Sequence, residues 1–321
     1  MKAGAQAGVL MSEDQLERQR QTVAVNAARA YYRLLEANRM LPVIADQVKA
    51  LTEVVRAATA MSEQGVVAKI DVMRAQVALI GAQGGLQDLQ ASRTAATAML
   101  VETMGLAPGT ALEIRETDAT TKVPTLSAEP WQEAWAQRPD LRALAAQKRA
   151  LQAQIDIARS DMKPQIGLFA RSEFVRPTFY PETGTLSGGL VIRQKLSDGG
   201  ASRQAVAEAQ AHLQQLDSVE EQAKYGIAVQ VQVAMSAVTS ARSRVDTTGP
   251  AVTLASEALR LTQVGYQNGV MPLTDVLQAQ AALTKTSADY EGALSALRQA
   301  MAELNYAMGN EAGGSTAEAA P

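Results

Sequence analysis

The stretch Gln267-Asn268-Gly269-Val270-Met271-Pro272-Leu273-Thr274-Asp275-Val276-Leu277-Gln278-Ala279-Gln280 sets a helix breaker between two long runs of helical pattern. An earlier segment, Glu63-Gln64-Gly65-Val66-Val67-Ala68-Lys69-Ile70-Asp71-Val72-Met73-Arg74-Ala75-Gln76, repeats it, with Gly, Val, Asp, Val, Ala and Gln in the same places. Gly269 follows Gly65 by 204 residues, and the same offset places Met104-Gly105 on Met308-Gly309, Leu100 on Leu304, Val23 on Ile227, Val48 on Val252 and Ala5-Gln6-Ala7 on Ala209-Gln210-Ala211. The chain is therefore a duplication, and each copy is expected to bury its apolar face against the other.

The 321 residues are 47% hydrophobic but only 4% aromatic, which argues against one thick globular core, because aromatic side chains normally supply much of the buried area. Thin, closely spaced helices suit this composition better. There is no cysteine, hence no disulfide framework and no thiolate chemistry. A net charge of −3 lacks the basic excess of a nucleic-acid binder, so no nucleic-acid partner is expected. No run of apolar residues is long enough for a transmembrane helix. The first ten residues lead straight into Ser12-Glu13-Asp14 and offer no signal-peptide core.

Outward from the Gly65 turn, residues from about Ala3 to Ser62 read as one helix, with Val23, Ala27, Ala30, Leu34 and Leu41 at three-and-four spacing and Pro42 as the one bend. At 1.5 Å per residue it would be about 90 Å long, an elongated element. A second helix returns over about Lys69 to Met104. Residues 107–137 read as a connector ending in a short helix with Trp131 and Trp135, and Pro139 starts a further helix that Pro164 ends. Over Gln165 to Val175 and Leu186 to Leu196 the period becomes two. Ile166, Leu168, Phe174, Leu186, Leu190 and Ile192 share one face, and Arg171, Glu173, Arg193 and Lys195 the other, so 165–196 is a β-hairpin with a polar loop carrying Pro177, Pro181 and Gly184. Strands of about ten residues suit a tilted bilayer crossing, apolar to lipid and polar to a lumen, and they also fit a hairpin with one face on a soluble core.

Asp198-Gly199-Gly200 closes the hairpin, and a second very long helix runs from about Ala201 to Gln267. In it Ile227, Val231, Ala234, Val238, Ala241 and Val245 keep the four-three spacing of a coiled-coil seam until Gly249-Pro250 interrupts it. Leu294, Leu297, Met301, Leu304 and Met308 repeat the spacing on the returning helix, and 311–321 reads as a disordered tail. The fold class is thus mainly α, of very long antiparallel helical hairpins plus one β-hairpin.

No catalytic or metal-binding constellation stands out, and no cofactor is implied. His212, the one histidine, has no second His or Cys to complete a metal set and reads as a solvated helix residue. Asp71 and Asp275 each follow a turn glycine by six residues, where a carboxylate suits a helix N-terminus; around a closed ring they would also crowd at one end of its axis and select cations or hold a gate.

The ordered set Arg138-Pro139-Asp140-Leu141, Ala158-Arg159, Met162-Lys163-Pro164-Gln165, two strands, Gln194-Lys195-Leu196-Ser197-Asp198-Gly199-Gly200, the Gly269 turn with Asp275-Val276-Leu277, and Leu304-Met308-Gly309 resembles the TolC-like outer-membrane efflux proteins. The resemblance covers nearly the whole chain and includes the duplication, as repeats over 1–106 and 138–310. It implies a homotrimer whose strands form an outer-membrane β-barrel and whose helices continue it as a periplasmic tunnel. That would make the protein an exit duct, with no enzymatic activity, for drugs or secreted substrates delivered by an inner-membrane pump and a periplasmic adaptor.

On this resemblance Gly65, Val66, Val67, Gly269, Val270, Met271 and Leu273 form the adaptor contact. Asp71 and Asp275 line the aperture, Arg171, Glu173, Arg193 and Lys195 face the lumen, and Ile166, Leu168, Phe174, Leu186, Leu190 and Ile192 face outer-membrane lipid. Met271 stands where some members carry an arginine, and Gln278 where some carry a second acid. A helix and hairpin that the family places ahead of the first long helix would precede Met1, so the chain reads as truncated at its N-terminus, its export signal lost with them. The competing reading is a soluble helical scaffold that tethers other proteins through its heptads.

Overall fold

A computed structural model of the chain describes residues 2–115, 129–160, 162–175 and 183–310, with the side chains of 2–3, 174–175 and 183 left out. Its elements follow in the order α1 (Lys2–Glu63), α2 (Lys69–Thr103), α3 (Pro130–Gln137), α4 (Pro139–Ser160), β1 (Gln165–Val175), β2 (Thr183–Arg193), α5 (Ala201–Gln267) and α6 (Leu273–Met308). The tail 311–321, the stretch 116–128 of the connector and the loop prolines Pro177 and Pro181 lie outside the described residues.

Helices α1 and α5, of 62 and 67 residues, pass through Pro42 and Pro250 without ending. The expected interruption at Gly249-Pro250 is therefore not a break. A proline costs its helix one hydrogen bond and a steric clash, which a long helix packed along its length absorbs. Asp198 organises the start of α5: its carboxylate accepts from the N–H groups of Gly200 (3.1 Å) and Ser202 (3.0 Å) and from the Ser202 hydroxyl. These bonds hold its carboxyl below the usual carboxylate range.

The chain forms two compact units that do not coincide with the two sequence repeats. One comprises Met1–Arg18 and Pro139–Gly226, the other Gln19–Arg138 and Ile227–Pro321. Each draws on both repeats, because each repeat supplies an apolar stripe that only its partner can cover.

In the larger unit the expected seams are buried: Ile227, Val231, Ala234, Val238 and Ala241 on α5, and Leu294, Leu297, Leu304 and Met308 on α6. Each fully buried aliphatic side chain contributes about 1.5–3 kcal/mol of transfer free energy. On α1 Ala30 and Leu34 of the expected stripe are buried, and one position departs from it. Val23, the counterpart of buried Ile227, is exposed, and Val25 is buried instead. At this end α1 meets α6 through directional polar bonds: Thr22 with Tyr306 (3.1 Å), Arg29 Nε donating to Glu303 (2.9 Å), and Ser295 donating to the Tyr32 carbonyl (3.3 Å).

In the smaller unit Leu141, Ala143, Ala146 and Ile155 of α4 are buried with Ala7 of α1 and Leu216 of α5. Ion pairs border them: Arg142 Nε with Asp14 (2.9 Å), Arg18 with Asp140 (3.8 Å), and Lys148 with both Asp217 (2.6 Å) and Glu220.

β1 and β2 pair antiparallel from Gln165↔Arg193 to Val175↔Thr183. The second strand thus begins and ends three residues earlier than its alternation suggested, at Arg193 rather than Leu196. Its partner decides the end, because the residue before Gln165 is Pro164, which has no N–H to extend the ladder.

Candidate functional site

Two features stand out as candidate sites: the turns between the long helices, both in the larger unit, and the β-hairpin in the smaller. At the first turn the Gly65 N–H donates to Ser62 O (3.0 Å) and the Val66 N–H to Met61 O (2.8 Å). At the second, Gly269 donates to Tyr266 O (3.0 Å) and Val270 to Gly265 O (2.9 Å). Both are Schellman closures needing a left-handed residue, and both glycines supply one, with φ of 75° and 72°. One apolar cluster, containing Ala58, Val72, Ala75, Leu259, Tyr266, Leu273 and Val276, joins the helices behind both turns and sets the turns side by side.

The turn residues separate into two groups. Val66 and Val270 are 68% and 77% exposed, and Met271 is also exposed, with its side chain laid against Gly265. Val67 is half-buried. Leu273, expected on the contact surface, is 2% exposed and belongs to the apolar cluster, so it fastens the turns together and offers nothing to a partner.

Asp71 and Asp275 lie in the first turns of α2 and α6, where the helix dipole favours a carboxylate. Neither side chain caps its helix. The capping positions are Ala68 and Pro272, three residues earlier, because each chain leaves its turn extended and enters the helix there. Asp71 pairs instead with Arg74 (3.4 Å).

Behind Asp71 the structure places a residue that sequence reading did not single out. Tyr266 is buried, and its hydroxyl has no hydrogen-bond partner. Burial raises its phenolic pKa, and the negative charge of Asp71 raises it further. A tyrosine three residues before the turn glycine was the available signal.

In the hairpin, the register settles which residues share a face. Ile166, Leu168, Leu186, Leu190 and Ile192 lie together with Ala170, Ser172 and Gly188, and all five aliphatic side chains are exposed, Leu168 and Leu186 by more than four-fifths. Phe174 has the same parity, but its side chain lies outside the described part. The opposite face carries Gln165, Arg171, Glu173, Thr185, Ser187 and Arg193, with Arg171 and Glu173 paired at 3.6 Å and the Phe169 ring against Gly189. Lys195 lies two residues past the ladder.

His212, the one histidine of the sequence, is exposed on α5, 3.9 Å from Glu208. Among the described residues no helix is long and apolar enough to cross a membrane.

With this geometry in hand, the comparisons with known proteins converge. A family model described as outer membrane efflux protein matches residues 2–106 and 131–310. The protein CyaE of Bordetella pertussis is 24% identical over 258 residues, 78% of this chain and 54% of that protein, so the chain spans about half the length of the curated relative it matches. Among solved structures, the outer-membrane channel OprN superposes with a TM-score of 0.81 at 19% identity, over 97% of this chain and 71% of that one. The open state of the Neisseria gonorrhoeae MtrE outer membrane channel gives 0.80 at 20% identity over the same shares.

Proposed function

The chain belongs to the outer membrane efflux protein family, and from that premise we propose that it forms the wall of a passive exit duct of an efflux or type I secretion system, as a homotrimer in the outer membrane and periplasm. The observation that carries this reading is the hairpin: two eleven-residue strands with five exposed aliphatic side chains on one face and charges on the other. Strands of that length suit a tilted bilayer crossing, and the alternation suits lipid outside and water within. Lipid-facing positions are then Ile166, Leu168, Leu186, Leu190 and Ile192, with Phe174 by parity, and Arg171, Glu173 and Arg193 line the lumen, with Lys195 at its edge.

The exposed valines of the two turns supply the docking surface for a periplasmic adaptor, which couples the duct to an inner-membrane pump. Val66, Val270 and Met271 form its apolar centre, and Gly65 and Gly269 set its shape. Asp71 and Asp275 belong to the aperture. Selection by an aperture of this kind rests on fixed charge and pore width, and transport through it needs no covalent step.

The test uses the absence of cysteine, which makes single-cysteine labelling clean. Val66→Cys and Leu168→Cys proteins are expressed in cells with an outer membrane and its efflux partners. Trimers in the outer-membrane fraction, adaptor cross-linking through position 66 and labelling by a lipid-soluble maleimide at position 168 are expected. A protein recovered in the soluble fraction, with position 168 open to water-soluble reagents only, would refute the duct and leave the helical scaffold.

A further inference from the structure

Three cations gather where the β-hairpin meets the helices. Arg193, the last residue of β2, pairs across the ladder with Gln165, the first of β1, and Lys163 and Lys195 flank that pair two residues before Gln165 and two after Arg193. All three are exposed. Arg193 has the parity of Arg171 and Glu173 and lies on the face opposite the aliphatic one.

The charges along this face do not balance. Arg171 and Glu173 pair with each other at 3.6 Å. The Asp198 carboxylate, on which Lys195 acts, is taken up by Gly200 and Ser202 at the start of α5. Among the described residues Lys163 and Arg193 have no ion pair.

We infer that this base is a basic collar on the water-filled side of the barrel, and that the hairpin end of the duct favours anionic groups, carboxylate, phosphate or sulfate, over cations, in series with the acids Asp71 and Asp275 that the duct reading places at the aperture. The inference rests on the duct reading above. Every copy around a closed ring contributes the same unpaired cations, and a narrow aqueous passage with low-dielectric walls focuses their field. The lipid-side alternative, with the cations holding phosphate headgroups, is disfavoured because Arg193 shares its face with the charged residues.

The experiment is ion selectivity in planar bilayers, read as the chloride-to-potassium permeability ratio in a salt gradient, with the intact protein extracted from outer membranes. The triple variant Lys163→Gln, Arg193→Gln, Lys195→Gln is expected to lower the ratio about twofold or more, in keeping with selection by rings of fixed charge. Glu173→Gln, which frees Arg171, is expected to raise it. The charge-conserving triple Lys163→Arg, Arg193→Lys, Lys195→Arg keeps the wild-type ratio and shows that the fold survives changes at these positions. An unchanged ratio in the neutral triple, with conductance retained, would overturn the collar. A ratio that falls only in bilayers of anionic lipid would overturn it in favour of headgroup binding. No conductance from the wild-type trimer would remove the duct reading itself and the collar with it.

Discussion

Gly309 ends α6 with its backbone laid directly on Arg138: a Cβ at Gly309 would stand 2.9 Å from Arg138 Cγ and 3.1 Å from its Cα and N. Its φ is 84°, in the left-handed region. Its counterpart in the first repeat, Gly105, has φ of 68° but open space where a Cβ would go. The two positions therefore separate backbone strain from crowding. Gly105→Ala should cost only the left-handed penalty, about 1–2 kcal/mol, and Gly309→Ala should cost that and the displacement of Arg138 as well. Chemical denaturation of the two variants checks this, and equal losses would contradict it.

Arg138 is itself 3% exposed, and its Nη1 donates to Gln230 Oε1 (2.9 Å) and to the Ala307 carbonyl (3.1 Å) at the end of α6. Arg138→Met keeps much of the bulk but leaves the buried Ala307 carbonyl without this donor, a loss of about 1–3 kcal/mol, whereas the exposed Gln230 can turn to water. Lysine cannot reproduce the planar fork, so Arg138→Lys should recover only part. Thermal unfolding of the two variants should rank wild type, Lys, Met in falling order.

Lys148 pulls the Glu220 pKa below the usual carboxylate range, and Lys224 pulls it further; Asp217, then Glu220, raise that of Lys148. Because Glu220 is depressed in the folded state, its contribution is present above the unfolded value, near 4.3, and is lost as pH falls through the lower folded value. The Lys148 contribution is present below its unfolded value and is lost as pH rises through the higher folded one. Glu220→Gln should therefore melt below wild type at neutral pH, and the gap should narrow as pH falls below the unfolded value, near 4.3. A gap that does not narrow on acidification would mean that glutamine disturbs packing and that charge is not the cause.

The Tyr266 hydroxyl makes no hydrogen bond, so Tyr266→Phe should leave stability at neutral pH unchanged or slightly higher, since nothing is left unpaired. Burial, then Asp71, raise its pKa, which makes the folded state lose stability as pH rises past about 10. The phenylalanine variant should lose less over that alkaline range. Melting curves between pH 8 and pH 11 decide it, and identical alkaline slopes would show that Tyr266 does not titrate in this way.

The long helices, both turns and the hairpin were legible in the sequence because each rests on a local rule: four-three spacing, a glycine that a left-handed cap requires, and alternation of period two. The shared offset even identifies the third and fourth Schellman closures, at Gly105 and Gly309, where Leu106 donates to Val101 and Asn310 to Asn305. The candidate site was only partly legible. Val66, Val270 and the two hairpin faces lie where the pattern puts them, whereas Leu273 belongs to the core, Asp71 and Asp275 do not cap their helices, and β2 ends at Arg193.

By itself the sequence determined the duplication, the elements and their polarity, since these depend on each residue and its near neighbours along the chain. Tertiary structure decided which of two equivalent residues is covered. Val23 and Ile227 occupy the same place in the repeat, yet Val23 is exposed and Ile227 is 2% exposed. In the same way only tertiary packing brings Tyr266 of α5 near Asp71 of α2, and only α5 and the end of α6 together give Arg138 its acceptors. Equivalent positions such as Val72 and Val276 or Leu100 and Leu304 are buried in both copies, so the repeat fixes most of the apolar stripe, and the partner surface decides the rest where the two copies meet different neighbours.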